Sequence, residues 1–219
     1  MRTQSTTGFK TCFFEDSTAN DLQVIHCNQI TDFFQSVMKN SNRWQEYCET
    51  TFNSLRANVH NWGKPEFSRP ITRIYYIGVF DCGTPNHTGF ISEAAYHNKL
   101  VGGKTVHDHY LSPQFVGRMI LDNPDTYLQD FDVFRDIFWK SCATVVVTAE
   151  ENIQLSLLTT NDGNDYTVSV PTDEKYASIG ISLYRRPDGD TRWKNAQPAT
   201  GNGLYFPEHL IQYEKEFLV

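Results

Sequence analysis

A strand-to-helix step is predicted by the stretch TVVVTAEEN at residues 144–152. Its β-branched first half favours a strand. Thr148 and Glu151 then have the spacing of a capping box, in which each side chain accepts a hydrogen bond from the backbone of the other residue. We therefore expect a strand that ends at Thr148 and a helix that runs to about Leu158.

A dense polar stretch, HDHYLSPQ at residues 107–114, precedes this step in the chain. A short strand is predicted at 104–107 and a helix from Pro113. In a regular strand, His107 and His109 lie on one face and Asp108 on the other, whereas a bend would bring two or three of them together. A purely structural role, with one histidine packing on a surface and the other capping a turn, is the alternative.

Together the two stretches have the outline of a ββα-metal unit. Residues 107–114 resemble the Asp-His-x-x-x-Pro opening of HNH endonucleases. Residues 147–152 resemble the Thr-x-x-x-Asn step that closes this motif in many members of the family, and the pattern is also similar to the HNH domain of CRISPR effector nucleases. The resemblance implies a metal-dependent endonuclease that hydrolyses phosphodiester bonds in nucleic acid, with DNA expected before RNA.

The resemblance also implies a role for each residue of the motif. His109 would be the general base that activates water, which requires a near-neutral pKa. Asp108 and Asn152 would bind one Mg²⁺ or Mn²⁺ ion, with His107 as a third ligand or an orienting residue. Asn123 falls near the spacing of the middle asparagine of the motif, but turn formation beside Pro124 is a sufficient reason for it.

Two further functions remain open from the residues alone. His87 and His97 lie close enough in sequence to complete a three-histidine zinc site with the cluster, although a structural role fits each of them better. Independently of such a site, the chain could be a hydrolase of small phosphoesters that uses the same metal and base as the nuclease, or a binding or structural protein without enzymatic activity.

A basic stretch that could meet phosphates spans residues 184–194. The nucleic-acid-binding candidates are Arg185, Arg186, Arg192 and Lys194, together with Arg118 on the helix that Pro113 begins. A charged hairpin is the alternative, because Pro187 begins a turn sequence and nearby aspartates can pair with the arginines.

The chain as a whole is predicted to be one α+β domain over residues 1–219. Its parts are a helical segment at 17–62, the ββα unit within 71–160 and a mixed, strand-containing region at 161–219. Apolar stripes at 30–38 and 44–59 predict two helices in the first part. The Ile-, Tyr- and Val-rich residues 71–80 predict a strand.

Composition limits the classes of partner. The 19 basic and 26 acidic residues give a net charge of −7, so any contact with nucleic acid must be locally basic. The five cysteines form no C-x-x-C pair and are expected to be free thiols in a reducing compartment. No apolar run of about 18 residues predicts a membrane span, and no signal peptide is expected.

These features suit a cytoplasmic enzyme of a bacterium or of a phage-infected cell, such as a restriction-type nuclease. A homodimer is expected if both DNA strands are cut at a symmetric site.

Overall fold

The computed structural model of the chain describes residues 42–82, 86–162, 165–199, 204 and 206–218. The helices are α1 (Asn42–Asn58), α2 (Pro65–Asp81), α3 (Glu93–Leu100), α4 (Pro113–Asp122), α5 (Pro124–Tyr127), α6 (Phe131–Ser141), α7 (Ala149–Ser156), α8 (Lys175–Ser178) and α9 (Glu208–Glu214). The strands are β1 (Asn86–Ser92), β2 (Val106–His109), β3 (Ala143–Val147), β4 (Thr159–Asp162), β5 (Asp165–Val168), β6 (Leu183–Arg185) and β7 (Gln197–Pro198). This mixture of helix and sheet confirms the α+β class.

One sheet of five strands has the order β2-β3-β1-β6-β7, and β4 and β5 form a separate antiparallel hairpin. Strand β1 runs parallel to β3, whereas β2 pairs with β3, and β6 with both β1 and β7, in antiparallel fashion. The parallel register shifts between His87 and Ile91. Gly89 lies within this irregular segment with φ of +81°, a conformation that glycine adopts without steric cost.

The two faces of β3 enter different apolar clusters. Val145 and Val147 lie in the main core, which contains the buried rings of Tyr75, Phe134 and Phe138. Val146 instead packs in a smaller cluster whose other buried residues are Ile91, Ala95 and Ala196. The sheet therefore separates a large helical core from a thinner layer that includes α3.

A buried hydrogen bond joins helices α2 and α6 in the main core. The hydroxyl of Tyr75 on α2 donates to Ser141 Oγ on α6 over 2.7 Å, and Ser141 Oγ donates to Ile137 O over 2.9 Å. Both side chains are fully buried. These two hydroxyl groups thus satisfy each other's hydrogen bonding inside the core, as burial requires.

The strand predicted at 71–80 is wrong, because these residues lie in α2. The buried residues of this helix recur at a helical period: Ile71, Tyr75, Gly78 and Val79. The prediction relied on the β-branched and aromatic residues of this stretch, which favour a strand, and gave too little weight to the helical spacing of its apolar residues. Pro65 lies in the first turn of α2, where its missing N–H has no intrahelical partner to lose.

Other predicted elements are present with shifted ends. Strand β3, helix α4 and helix α1 lie where their patterns predict them, and the strand expected at 104–107 is β2. The capping box at the start of α7 is confirmed, with Thr148 and Glu151 bonding each other's backbone. The stripe at 30–38 and residues 17–41 of the predicted helical segment lie outside the described residues.

Candidate functional site

The three polar residues of β2 divide between the two faces of the sheet. The strand pairs with β3 in an unbroken register, in which His107 lies opposite Val146, Asp108 opposite Val145 and His109 opposite Thr144. Since Val145 belongs to the main core and Val146 to the smaller cluster, Asp108 lies on the main-core face. The histidines share the opposite face.

Asp108 is held by two donors from the start of α8. Its Oδ2 atom accepts from Lys175 Nζ over 2.8 Å and from the hydroxyl of Tyr176 over 2.5 Å. The Asp108 and Lys175 side chains are only 15% and 13% exposed. Burial, and then the Asp108 carboxylate, raise the pKa of Tyr176 well above its usual value, so this phenol remains a donor. Lys175 Nζ also donates to His109 O over 2.7 Å.

These residues do not fit a Mg²⁺ or Mn²⁺ ion in the way that the resemblance implies. A hard divalent ion needs several oxygen ligands with free lone pairs. The one carboxylate of the motif already neutralises the Lys175 ammonium, which would repel a second cation. No three His, Cys, Asp or Glu side chains are grouped to hold a metal in the part of the chain that the structure describes.

Asn152, the predicted second ligand, lies half-buried on the first turn of α7. Its neighbour Glu151 has a structural role, since its Oε2 atom accepts from Thr148 N over 2.8 Å and from Ser92 Oγ over 2.6 Å. Ser92 is the N-cap residue of α3. The carboxylate therefore fastens the N-termini of α3 and α7 to each other, with the charge that a helix N-terminus favours.

His109, the predicted general base, packs against an aromatic ring. Its imidazole centroid lies 4.5 Å from that of Phe80 near the end of α2. Burial lowers the pKa of His109 to about 4, although the Asp108 carboxylate acts in the opposite direction. The ring is therefore neutral at physiological pH and a much weaker base than the near-neutral group that the mechanism requires.

The side chains of His107 and His87 meet over strand β3. Their ring centroids are 4.7 Å apart, although β3 lies between the strands that carry them. The short side chain of Thr144 on β3 lies beneath the two rings, and its Oγ1 is 3.4 Å from His107 Nδ1. A pair of imidazoles is thus assembled from two strands that are not neighbours.

Two permanent cations act on this pair. Burial, followed by the effects of His107, Arg186 and Lys99, lowers the pKa of His87 to about 4. Burial and Lys99 likewise lower the pKa of His107. Arg186 is held beside β1 by a 2.9 Å bond from its backbone N–H to Gly89 O, and its guanidinium lies 4.1 Å from the centroid of the Trp193 ring. We call His87, Lys99, His107 and Arg186 the basic cluster.

Two buried nitrogens of the basic cluster have no hydrogen-bond partner among the described residues. They are His87 Nδ1 and Arg186 Nε. A buried polar atom without a partner costs about 1–3 kcal/mol. Sequence reasoning gave Arg186 a binding role but missed Lys99, and for His87 it preferred a structural role to a zinc site. Only the order of the strands brings these four residues together.

The other predicted nucleic-acid contacts are mostly paired with carboxylates. Arg185 bonds Asp188 over 2.8 Å, and Arg192 bonds Asp190 over 3.2 Å. These pairs lie around the turn between β6 and β7, so the charged-hairpin interpretation of 184–194 agrees with the structure. Lys194 is exposed.

Arg118 lies apart from this hairpin, on α4. Its Nε is 3.6 Å from Asp122 Oδ2, and its guanidinium lies over the rings of Trp62 and Phe217. Arg118 thus packs as a bridge between elements of the helical layer.

Asn123 and His97 follow their structural interpretations. Asn123 ends α4, with its side-chain nitrogen donating to Met119 O over 3.0 Å. His97 is 63% exposed and lies 4.0 Å from Glu93 on the same helix. Cys48, Cys82 and Cys142 are buried and form no disulfide among the described residues, although the Sγ atoms of Cys82 and Cys142 lie 3.6 Å apart. Cys12 and Cys27 lie outside the described residues.

No protein-family model, curated protein or solved structure matches this chain. In the described ranges, none of the helices combines the length and the apolar character that crossing a bilayer requires.

Replacing Asp108 with Asn should destabilise the fold by about 3 kcal/mol, because it leaves the Lys175 ammonium buried without its counter-charge. The measurement is urea unfolding with and without Mg²⁺. Asp136→Asn is the matched control, since it breaks the exposed pair with Lys140 and should cost less than about 1 kcal/mol. Stabilisation of the unmodified protein by Mg²⁺ that Asp108→Asn abolishes would contradict our assignment.

Burial of His109 should make the fold sensitive to acid. Its folded pKa is lowered to about 4, below the unfolded value of about 6.5, so the unfolded chain takes up the proton first. Stability should therefore fall as the pH drops from about 6.5 to about 4, with His109 contributing on the order of 3 kcal/mol.

Urea midpoints measured between pH 7 and 4.5 check this prediction. His109→Gln should reduce the loss of stability at low pH. His97→Gln, at an exposed position, should show the same dependence of stability on pH as the unmodified protein. Equal slopes for His109→Gln and the unmodified protein would show that His109 titrates normally.

Proposed function

We propose that this chain binds a phosphate group of a nucleotide or nucleic acid at the basic cluster. The observation that carries the proposal is the contact of the His87 and His107 rings, 4.7 Å apart, beside two buried nitrogens, His87 Nδ1 and Arg186 Nε, that have no hydrogen-bond partner among the described residues. Nucleic acid is also the class of ligand that the sequence resemblance implies.

The charges of the basic cluster favour an anion over a metal cation. Two neutral imidazoles alone would suit a transition metal. Lys99 and Arg186 are charged at neutral pH, however, and a divalent cation beside them would be repelled. A phosphate group presents several strong acceptor oxygens and forms charge-assisted bonds with arginine and lysine.

The carboxylate that acts on Arg186 is already engaged. Asp190 accepts bonds from the Arg192 side chain and backbone and from the Asn195 side chain, and these bonds hold its pKa well below the usual range. Asp190 therefore neutralises Arg192 first, and a positive field remains at the imidazole pair. This local positive field contrasts with the net charge of the whole chain, which is −7.

Binding can be measured by fluorescence anisotropy with labelled single-stranded and duplex oligonucleotides over a range of salt concentrations. Arg186→Ala should weaken binding about tenfold and reduce the salt slope by about one, because one phosphate contact is lost. Arg69→Ala, at an exposed position of α2, is the matched control and should bind normally.

Because Arg186 also packs on Trp193, a second variant guards against misfolding. His107 is exposed, so His107→Ala should keep the thermal midpoint while weakening binding. Undiminished affinity in both variants would refute phosphate binding at the basic cluster.

Metal-dependent cleavage of nucleic acid is a second candidate, favoured by one observation: β2, β3 and α7 follow the order of a ββα unit. This candidate predicts cutting of plasmid DNA, phage DNA or single-stranded RNA that Mg²⁺ or Mn²⁺ supports and EDTA abolishes. His109→Ala should remove the cutting, and Asn152→Ala should weaken its dependence on metal. If both variants cut as well as the unmodified protein, this site assignment fails.

The cytoplasmic location of the protein and its assembly as a homodimer remain predictions.

A further inference from the structure

We infer that the basic cluster takes a phosphomonoester, meaning a mononucleotide or the phosphorylated end of a strand, in preference to an internal phosphodiester. The inference rests on the proposed function and narrows its ligand. It depends on three features: the compactness of the cluster, the number of its donors and the carboxylates on the elements that carry its cations.

The basic cluster is a compact site and does not form an elongated groove. The two imidazoles are in contact, at 4.7 Å between centroids, and Lys99 and Arg186 both act on His87. Proteins that follow a nucleic-acid backbone instead carry a positively charged groove along it. The arrangement here suits one phosphate group.

The donors of the cluster outnumber the free oxygens of a phosphodiester. An internal phosphodiester offers two unesterified oxygens and one negative charge. A phosphomonoester offers three strong acceptor oxygens and a charge of about −1.5 to −2 at neutral pH. The Lys99 ammonium, the Arg186 guanidinium and the two imidazoles together match the monoester better.

The two elements that carry the cations of the basic cluster also carry carboxylates. The hairpin that carries Arg186 also carries Asp188, 77% exposed, and Asp190. The helix that carries Lys99 begins at Glu93, 51% exposed, which accepts a bond from the Tyr184 hydroxyl. On the hairpin, Arg185 and Arg192 are paired with aspartates. These carboxylates disfavour a continuous track of phosphates along either element, because like charges repel.

The test uses the full-length protein and three single-stranded oligonucleotides in isothermal titration calorimetry. One carries a 5′-phosphate, the second has the same sequence with hydroxyl ends, and the third has hydroxyl ends but is two nucleotides longer. The third has about the same total charge as the first, which separates recognition of the end from simple attraction. Inorganic phosphate serves as a competitor.

We expect the phosphorylated oligonucleotide to bind about tenfold more tightly than either hydroxyl-ended one, a difference of about 1.4 kcal/mol, because its terminal phosphate offers a further charged oxygen to the donors of the cluster. Inorganic phosphate should compete with it. The preference should disappear in Arg186→Ala and persist in Arg69→Ala.

The two proposals fail in distinguishable ways. Equal binding of all three oligonucleotides, still weakened by Arg186→Ala, would overturn the phosphomonoester inference and leave phosphate binding intact. A preference for the phosphorylated end that Arg186→Ala retains would place that recognition elsewhere and also overturn the inference. Binding of none of the oligonucleotides, and none of inorganic phosphate, would overturn both proposals.

Discussion

The alternation of side chains along β2 is the constraint on which the rest of the candidate site depends. Its unbroken pairing with β3 sends Asp108 to the main-core face and His107 and His109 to the other. A shift of one residue would exchange these faces, and the main core would then have to accept an imidazole pair. The ion pair between Asp108 and Lys175 opposes such a shift, because it is nearly buried and also bonds the backbone of His109.

The position of the Asp108 carboxylate, on the face of β2 opposite the histidines, determines what the histidine face can bind. With Asp108 on the other side, Lys99 and Arg186 act on the imidazoles without a facing counter-charge from β2. The histidines respond with lowered pKa values, so the folded protein limits its own charge repulsion. A bound anion would supply the missing counter-charge and satisfy the unpartnered nitrogens of His87 and Arg186.

Local rules predicted the elements but not their assembly. The capping box at Thr148 depends only on neighbouring residues, so it could be predicted from the sequence. The period-2 rule also predicted that a regular β2 would separate Asp108 from the histidines, and the register of β2 against β3 is regular. Helix α2 was mistaken for a strand, and for that reason the contact of Phe80 with His109 could not be foreseen. Lys99 and Arg186 join the site only because β1 lies between β3 and β6, a non-local order that no single sequence window contains.

The order of β2, β3 and α7 matches that of a ββα unit, yet a backbone order does not by itself make a metal centre. Such a centre needs its carboxylate and its base to converge, which requires β2 to bend between Asp108 and His109. Here one ammonium, that of Lys175, bonds both the Asp108 carboxylate and the His109 carbonyl, and β2 keeps its register up to His109. The contact that stabilises the buried aspartate is therefore also the contact that keeps it apart from the histidines. The charged groups available to a ligand on the histidine face are therefore Lys99 on α3 and Arg186 on the β6–β7 hairpin. Their positive charge favours an anion.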